Sequence, residues 1–189
     1  QGYILTLLDG GLEDQNINRK YLERTEKSIN RMISIVQDLE SISRLESGEL
    51  KLNMKRFNIY DLFSEVFELQ EMLAKERGIK TMFEQPVDKN IFVYADRDRI
   101  MEVANNLVVN SIKYGQQNGS TSVSFSEMGD NLLIDVTDTG IGIDEADLKR
   151  IFERFYRTDK SRSRDMGGTG LGLAIVKHII EAHNQTINV

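Results

Sequence analysis

The sequence predicts an α+β protein, with a long helical segment ahead of a domain of segregated helices and an antiparallel-leaning sheet. Three observations lead there. An apolar stripe with coiled-coil spacing runs from about Asn18 to Leu45. Alternating apolar residues flank a Gly129-Asp130-Asn131 turn. Beyond residue 50 the helical and strand patterns lack the regular alternation that a parallel sheet requires. A chain of 189 residues accommodates one ordinary domain plus a helical appendage. Residues 1–50 form the helical part and residues 51–189 the mixed part.

Gln1 to Leu8 is a short apolar piece, broken by Asp9-Gly10-Gly11. In the next helix, Leu22, Ile29, Met32, Val36 and Leu39 form an a/d seam, which Ile33, Ile42 and Leu45 widen. The stub at 1–8 is too short to cover such a seam. The expectation is therefore a helical hairpin that dimerises into a four-helix bundle; a helix packed on its own domain is the alternative.

Ser47-Gly48 ends that helix. A short strand is expected at Arg56–Tyr60, then a helix over Asp61–Lys75 with Leu62, Val66, Leu69 and Leu73 on one face. Strands come next at Lys80–Glu84 and Ile91–Tyr94, then a helix at Asp98–Tyr114. Val123 and Phe125, with Leu132, Ile134 and Val136, give a β-hairpin. Helices at Glu145–Arg157 and Leu171–His183 and a strand beginning at Thr186–Val189 complete the series.

Composition narrows the function. A net charge of −6 argues against nucleic-acid binding, which needs a basic surface. The absence of cysteine excludes disulfides and thiolate metal sites, and the two histidines, His178 and His183, leave little for an imidazole metal centre. No apolar run reaches the roughly 20 residues that a membrane span requires, so no membrane segment is expected within this chain.

The chemistry concentrates in four places. Glu102, Asn106, Asn110 and Lys113 fall at steps of four, four and three on one helix face. Two amides and an amine there suit a magnesium ion and the phosphates it bridges, although a solvated helix face would carry the same stripe. Asp138 ends the strand face of Leu132, Ile134 and Val136, where a buried carboxylate needs a partner such as an adenine amino group. Gly140 and Gly142 leave room beside it for a flat ring, or simply make a turn. Gly170 and Gly172 open the last helix, whose N-terminal amides favour a phosphate. Between the glycine clusters, Arg154, Arg157, Lys160, Arg162 and Arg164 outnumber Asp159 and Asp165, as expected of a lid over a nucleotide.

Together these motifs resemble the sensor histidine kinases of bacterial two-component systems, whose ATP-binding domain belongs to the GHKL superfamily shared with gyrase, Hsp90 and MutL. Asn106-Leu107-Val108-Val109-Asn110-Ser111-Ile112-Lys113-Tyr114 is similar to the N box, and Asp138-Thr139-Gly140-Ile141-Gly142-Ile143 to the G1 box. Phe152-Glu153-Arg154-Phe155-Tyr156-Arg157 resembles the F box, and Gly168 to Val176 the G2 box. Residues 1–50 resemble the family's dimerisation and phosphotransfer hairpin. The implied architecture is a helical hairpin in a dimeric four-helix bundle, ahead of an α/β sandwich of the GHKL ATPase type.

The resemblance implies ATP and Mg2+ as cofactors. It makes Asn110 the magnesium ligand and Asp138 the adenine-recognition carboxylate, with Gly140, Gly142 and Ile143 beside the base. Asn106 and Lys113 would face the phosphates and Tyr114 the base. Arg157 and Arg162 are implied phosphate contacts, and Thr169, Gly170, Leu171 and Gly172 supply the G2 loop. The implied activity moves the γ-phosphoryl of ATP to a histidine, for relay to an aspartate of a response-regulator receiver domain. A homodimer through residues 1–50 and a cytoplasmic location, in the cytoplasmic part of a membrane-anchored sensor, are implied as well.

ATP-hydrolysing relatives carry a glutamate one turn before the magnesium-binding asparagine. Here Asn106 stands there and cannot take a proton from water, so an ATP-hydrolysing machine is disfavoured. An anti-sigma-type serine kinase shares the boxes but not the coiled segment at 18–45. The H box with its acceptor histidine is missing. Gln1-Gly2-Tyr3 resembles the residues directly after that box, so the acceptor is expected upstream. Asn184-Gln185 replaces two glycines usual near the domain's end, where the family continues into a closing hairpin. His178 and His183 are expected to be ordinary helix residues.

Overall fold

The structure, a computed structural model, describes residues 2–46, 51–158 and 168–189. The expectations for the Leu45 side chain, for Ser47-Gly48, for Gly167 and for the cationic loop with Lys160, Arg162 and Arg164 lie outside what is described.

Helix α1 (Gly2–Thr6) runs into a π-helical turn at Leu7–Gly11, where Gly10 takes a φ of 99° and ends the helical run. Helix α2 spans Asn18–Glu46. Tyr3 and Tyr21, with ring centroids 5.3 Å apart, hold α1 against its start. Of the expected seam, Leu22, Ile29, Met32, Ile33, Val36 and Leu39 are all exposed. Ile42 is not part of it. It is 1% exposed, on a different face, and packs with Val103, Leu171, Ile175 and Ile179 of the domain beyond. The helix therefore does lean on its own domain, as the alternative expectation had it, while leaving the seam bare.

The domain begins with β1 (Met54–Asn58), whose last residue caps α3 (Ile59–Leu69) through its side-chain oxygen. The single helix expected over 61–75 is broken. Gln70 leaves helical geometry, and α4 (Glu71–Arg77) starts afresh, which puts Leu69 in solvent, while Leu62, Val66 and Leu73 pack into the core as expected. The Gln70 amide is drawn aside to donate to Asn105 Oδ1 at 2.8 Å. Next come β2 (Lys80–Phe83), β3 (Phe92–Asp96), α5 (Arg97–Tyr114), β4 (Ser120–Met128) and β5 (Asn131–Asp138).

The strands form two groups. β1 pairs antiparallel with β3; β4 pairs antiparallel with β5 and parallel with β2. The hairpin register, Met128 opposite Asn131 and Val123 opposite Val136, agrees with the alternation in the sequence. Val123, Ile134 and Val136 thereby join Phe57, Leu62, Phe63, Val66, Val108 and Ile112 in the main core. The last α-helical elements are shorter than expected. α6 covers only Glu145–Leu148 and gives way to turns, and α7 spans Gly172–Ala182. Residues 185–189 form no strand. No described helix is long and apolar enough to cross a membrane.

Candidate functional site

Helix α5 is the spine of the site, and its start is fixed by Asp96. That carboxylate, 7% exposed, accepts the backbone N–H groups of Asp98, Arg99 and Asn53 at 3.1, 3.2 and 2.8 Å. Burial alone would raise its pKa, but these three donors and the Arg99 charge hold it below the usual carboxylate value. From this cap, Val103, Ala104, Val108, Ser111 and Ile112 turn into the core. Asn106, Asn110 and Lys113 are left on the half-exposed face.

Two glycine loops meet that face from opposite ends. At one end, a Cβ on Gly172 would lie 2.6 Å from Asn106 Oδ1, so glycine lets α7 begin against α5 without displacing that amide. At the other end, Gly115 bridges Gly140, and Ile141 N–H donates to the Tyr114 carbonyl at 3.2 Å. That bridge brings Gly140 and Ile141, just past Asp138, against Tyr114, with Gly142 and Ile143 following in the chain. The stripe Asn106–Asn110–Lys113 thus spans the gap between the two loops.

Asp138 departs from expectation. Its side chain is exposed, not buried: Asp138 is the last residue of β5, still paired with Thr121, and lies beyond Leu132, Ile134 and Val136, the residues of that face that pack on the core. Asp138 Oδ1 accepts Gly140 N–H at 2.8 Å, which shapes the turn. Ile141 and Ile143 beside it are 55% and 42% exposed, an open apolar shelf next to a carboxylate.

The G2-like loop is tightly pinned. Phe155 N–H donates to the Gly170 carbonyl at 2.8 Å, with Phe155 itself at a φ of 61°. Gly170 has a φ of 76°, and a Cβ there would meet the Phe155 backbone at 3.0 Å. Leu171 is fully buried and anchors α7, whose N-terminus has no side-chain cap. Its first-turn amides therefore remain available to an anion. Thr169 Oγ1 accepts Leu171 N–H at 3.2 Å and donates to Asp38 Oδ2 at 2.9 Å. Burial raises the pKa of Asp38, partly offset by that hydroxyl.

Cations gather nearby. Arg157 donates one guanidinium nitrogen to the Gly168 carbonyl at 3.1 Å, and Arg31 of α2 approaches the same oxygen at 3.4 Å. The other terminal nitrogen of Arg157 is buried with no partner among the described residues. The Lys113 amine is held below its usual pKa, first by burial and then by the charges of Arg77 and Arg157. Of the residues expected here, Arg162 lies outside the described ones. Conversely, the expectation from sequence missed Asp38, Arg31 and the Phe155–Gly170 clasp.

Glu102 is occupied structurally. Its carboxylate accepts from Arg99 at 2.9 Å, while its carbonyl accepts the Asn106 amide at 2.9 Å. His183 is also structural. A backbone N–H can only donate and a carbonyl only accept, so Nε2 takes the Asp96 N–H at 3.1 Å and Nδ1–H donates to the Ile179 carbonyl at 2.8 Å. Among the described residues no group of three acidic or histidine side chains forms a metal cage.

Two glycine loops converging on one amide-bearing helix over a mixed sheet define an ATPase-type α/β domain. The chain belongs to the histidine kinase-, DNA gyrase B-, and HSP90-like ATPase family, whose model matches residues 95–189. Sensor histidine kinase WalK of Bacillus subtilis (strain 168) is 35% identical over 189 residues, covering 99% of this chain and 31% of the relative. The chain accordingly spans about a third of that relative's length. Among solved structures, histidine kinase ThkA in complex with response regulator protein TrrA superposes with a TM-score of 0.75 at 28% identity, covering 97% of this chain and 50% of that one. Full-length ShkA in complex with AMPPNP gives a TM-score of 0.74 at 28% identity, covering 88% and 34%.

Proposed function

We propose that this chain is the catalytic core of a sensor histidine kinase, which binds Mg-ATP and delivers the γ-phosphoryl to a histidine. The observation that carries the reading is the meeting of both glycine loops on the Asn106–Asn110–Lys113 stripe. The AMPPNP in the ShkA complex and the regulator in the ThkA complex support it by likeness.

In this reading Asp138 receives the adenine amino group, with Ile141, Ile143, Gly140, Gly142 and Tyr114 around the ring. The triphosphate then runs along α5 towards α7, where the G2 loop of Thr169, Gly170, Leu171 and Gly172 presents the uncapped amides of the first turn of α7, and Asn106, Lys113 and Arg157 add their side chains. Asn110 fits a magnesium ion, since its amide makes no hydrogen bond among the described residues and a hard cation takes an amide oxygen with phosphates and water. Held at Asn110, a magnesium ion would supply charge neutralisation for the phosphate chain. Phosphoryl transfer asks for positioning and charge neutralisation more than for covalent chemistry. Lys113 and Arg157 supply fixed positive charge for that purpose. Asn106 holds no proton-accepting carboxylate, and Glu102 is tied to Arg99, so water is not activated and the phosphoryl group is kept for a histidine.

The homodimer fits the same reading, with the bare α2 seam of Leu22, Ile29, Met32, Val36 and Leu39 as its contact. A receiver-domain aspartate is the proposed next acceptor. The decisive experiment uses a protein extended upstream to include the acceptor histidine, incubated with γ-labelled Mg-ATP. Acid-labile label that Asn110→Ala abolishes is expected; an extended protein that takes up none would overturn the kinase reading.

A further inference from the structure

The nucleotide reading leaves α2 outside the site, yet a cleft of about 490 Å³ joins the two. One wall carries Arg24, Lys27 and Arg31 of α2; the other carries Lys113, Gly168 and Thr169. The three α2 cations lie at steps of three and four and so share one helix face. Continued towards the C-terminus, that face carries Ile35, Asp38 and Ile42, the residues that touch the domain. The cations are thus turned to the domain by the same packing that seats the helix. Arg24 is steadied over the Tyr3 ring, 5.5 Å from its centroid.

Among the described residues no carboxylate lines the cleft, and none of Lys27, Arg31 and Lys113 has an ion-pair partner there. Asp38 lies just outside and is engaged by Thr169. Lys113 already feels Arg77 and Arg157, and a buried Arg157 nitrogen lacks an acceptor among the described residues. Convergent like charges repel unless an anion sits among them.

We propose that Arg24, Lys27 and Arg31, together with Lys113, form a subsite for the terminal phosphate of a polyphosphate ligand, so that the ligand bridges α2 and the domain. The proposal rests on the nucleotide reading for the identity of that ligand. The shared chemistry is a phosphate chain, carried by a nucleoside triphosphate or by free polyphosphate.

Calorimetry at low salt on this chain and on the double variant Lys27→Ala/Arg31→Ala, with Mg-ATP, Mg-ADP and tripolyphosphate, tests it. Both substituted residues are exposed, so a thermal melt should match the parent. The double variant should bind ATP about tenfold more weakly, the size of one charge-assisted contact, and ADP as before. Unchanged affinity for ATP, or equal weakening of ATP and ADP, would overturn the subsite while leaving the nucleotide site standing. If tripolyphosphate alone binds, and the variant loses it, the subsite holds and the nucleotide reading falls. If the parent chain binds none of the three, both fall.

Discussion

Thr169 donates its hydroxyl to the Asp38 carboxylate across 2.9 Å, joining the loop ahead of α7 to the long helix α2. Burial pushes the Asp38 pKa above its ordinary value of 3.8. A carboxyl whose folded pKa is raised stabilises the fold below the unfolded pKa and loses that contribution as pH rises through the folded pKa. At neutral pH, then, the fold carries an unwelcome charge. Asp38→Asn keeps an acceptor for Thr169 without the charge and should raise the melting temperature at pH 7. Asp38→Ala strands the hydroxyl and should cost about 1 kcal/mol in denaturant titration.

Gly172 and Asn106 test how closely α7 and α5 must approach. Gly172→Ala places a methyl 2.6 Å from Asn106 Oδ1, so the amide must swing aside and give up its bond to the Glu102 carbonyl, which should cost about 0.5–1.5 kcal/mol. Asn106→Ala removes the amide itself, so adding Gly172→Ala to that variant should cost little more. A double-mutant cycle with no coupling would contradict the contact.

Asn110 offers a separation of function. Without a hydrogen bond among the described residues, Asn110→Ala should change stability by less than about 0.5 kcal/mol. Magnesium-dependent nucleotide heat should nevertheless vanish in calorimetry. A variant that melts early would instead make Asn110 a structural residue.

Asp96 sets the acid limit of the fold. Its folded pKa lies below 3.8, so its contribution is present above that pH and is lost as pH falls through the folded value. Asp96→Ala should cost about 1–2 kcal/mol at pH 7 through the lost cap. As pH falls below 3.8 towards the folded value, the gap between variant and parent should narrow in urea titrations. A constant gap across that range would mean that the cap acts through packing alone.

Local signals made much of this legible. The α5 stripe, the β4–β5 register and the glycine loops can be read from spacing, because each is decided within a few residues of sequence. Tertiary competition hid the rest. The break at Gln70 depends on Asn105, 35 residues away. The expected helix to Arg157 stops early, where Tyr156 hydroxyl donates to Asp147 and Phe155 takes a left-handed backbone. Ile35 and Ile42 repeat every seven residues just as the exposed seam does, so periodicity alone could not say which face meets the domain. Asp138 read as buried because alternation reports the side of a strand and not how far along it the core extends.

The clasp between Phe155 and Gly170 bears on how the chain tolerates change. Its hydrogen bond, backed by Arg157 on Gly168, closes the chain on itself on either side of residues 159–167. A Cβ at position 170 would press on the Phe155 backbone, so the two residues that make the clasp are free to change only as a pair.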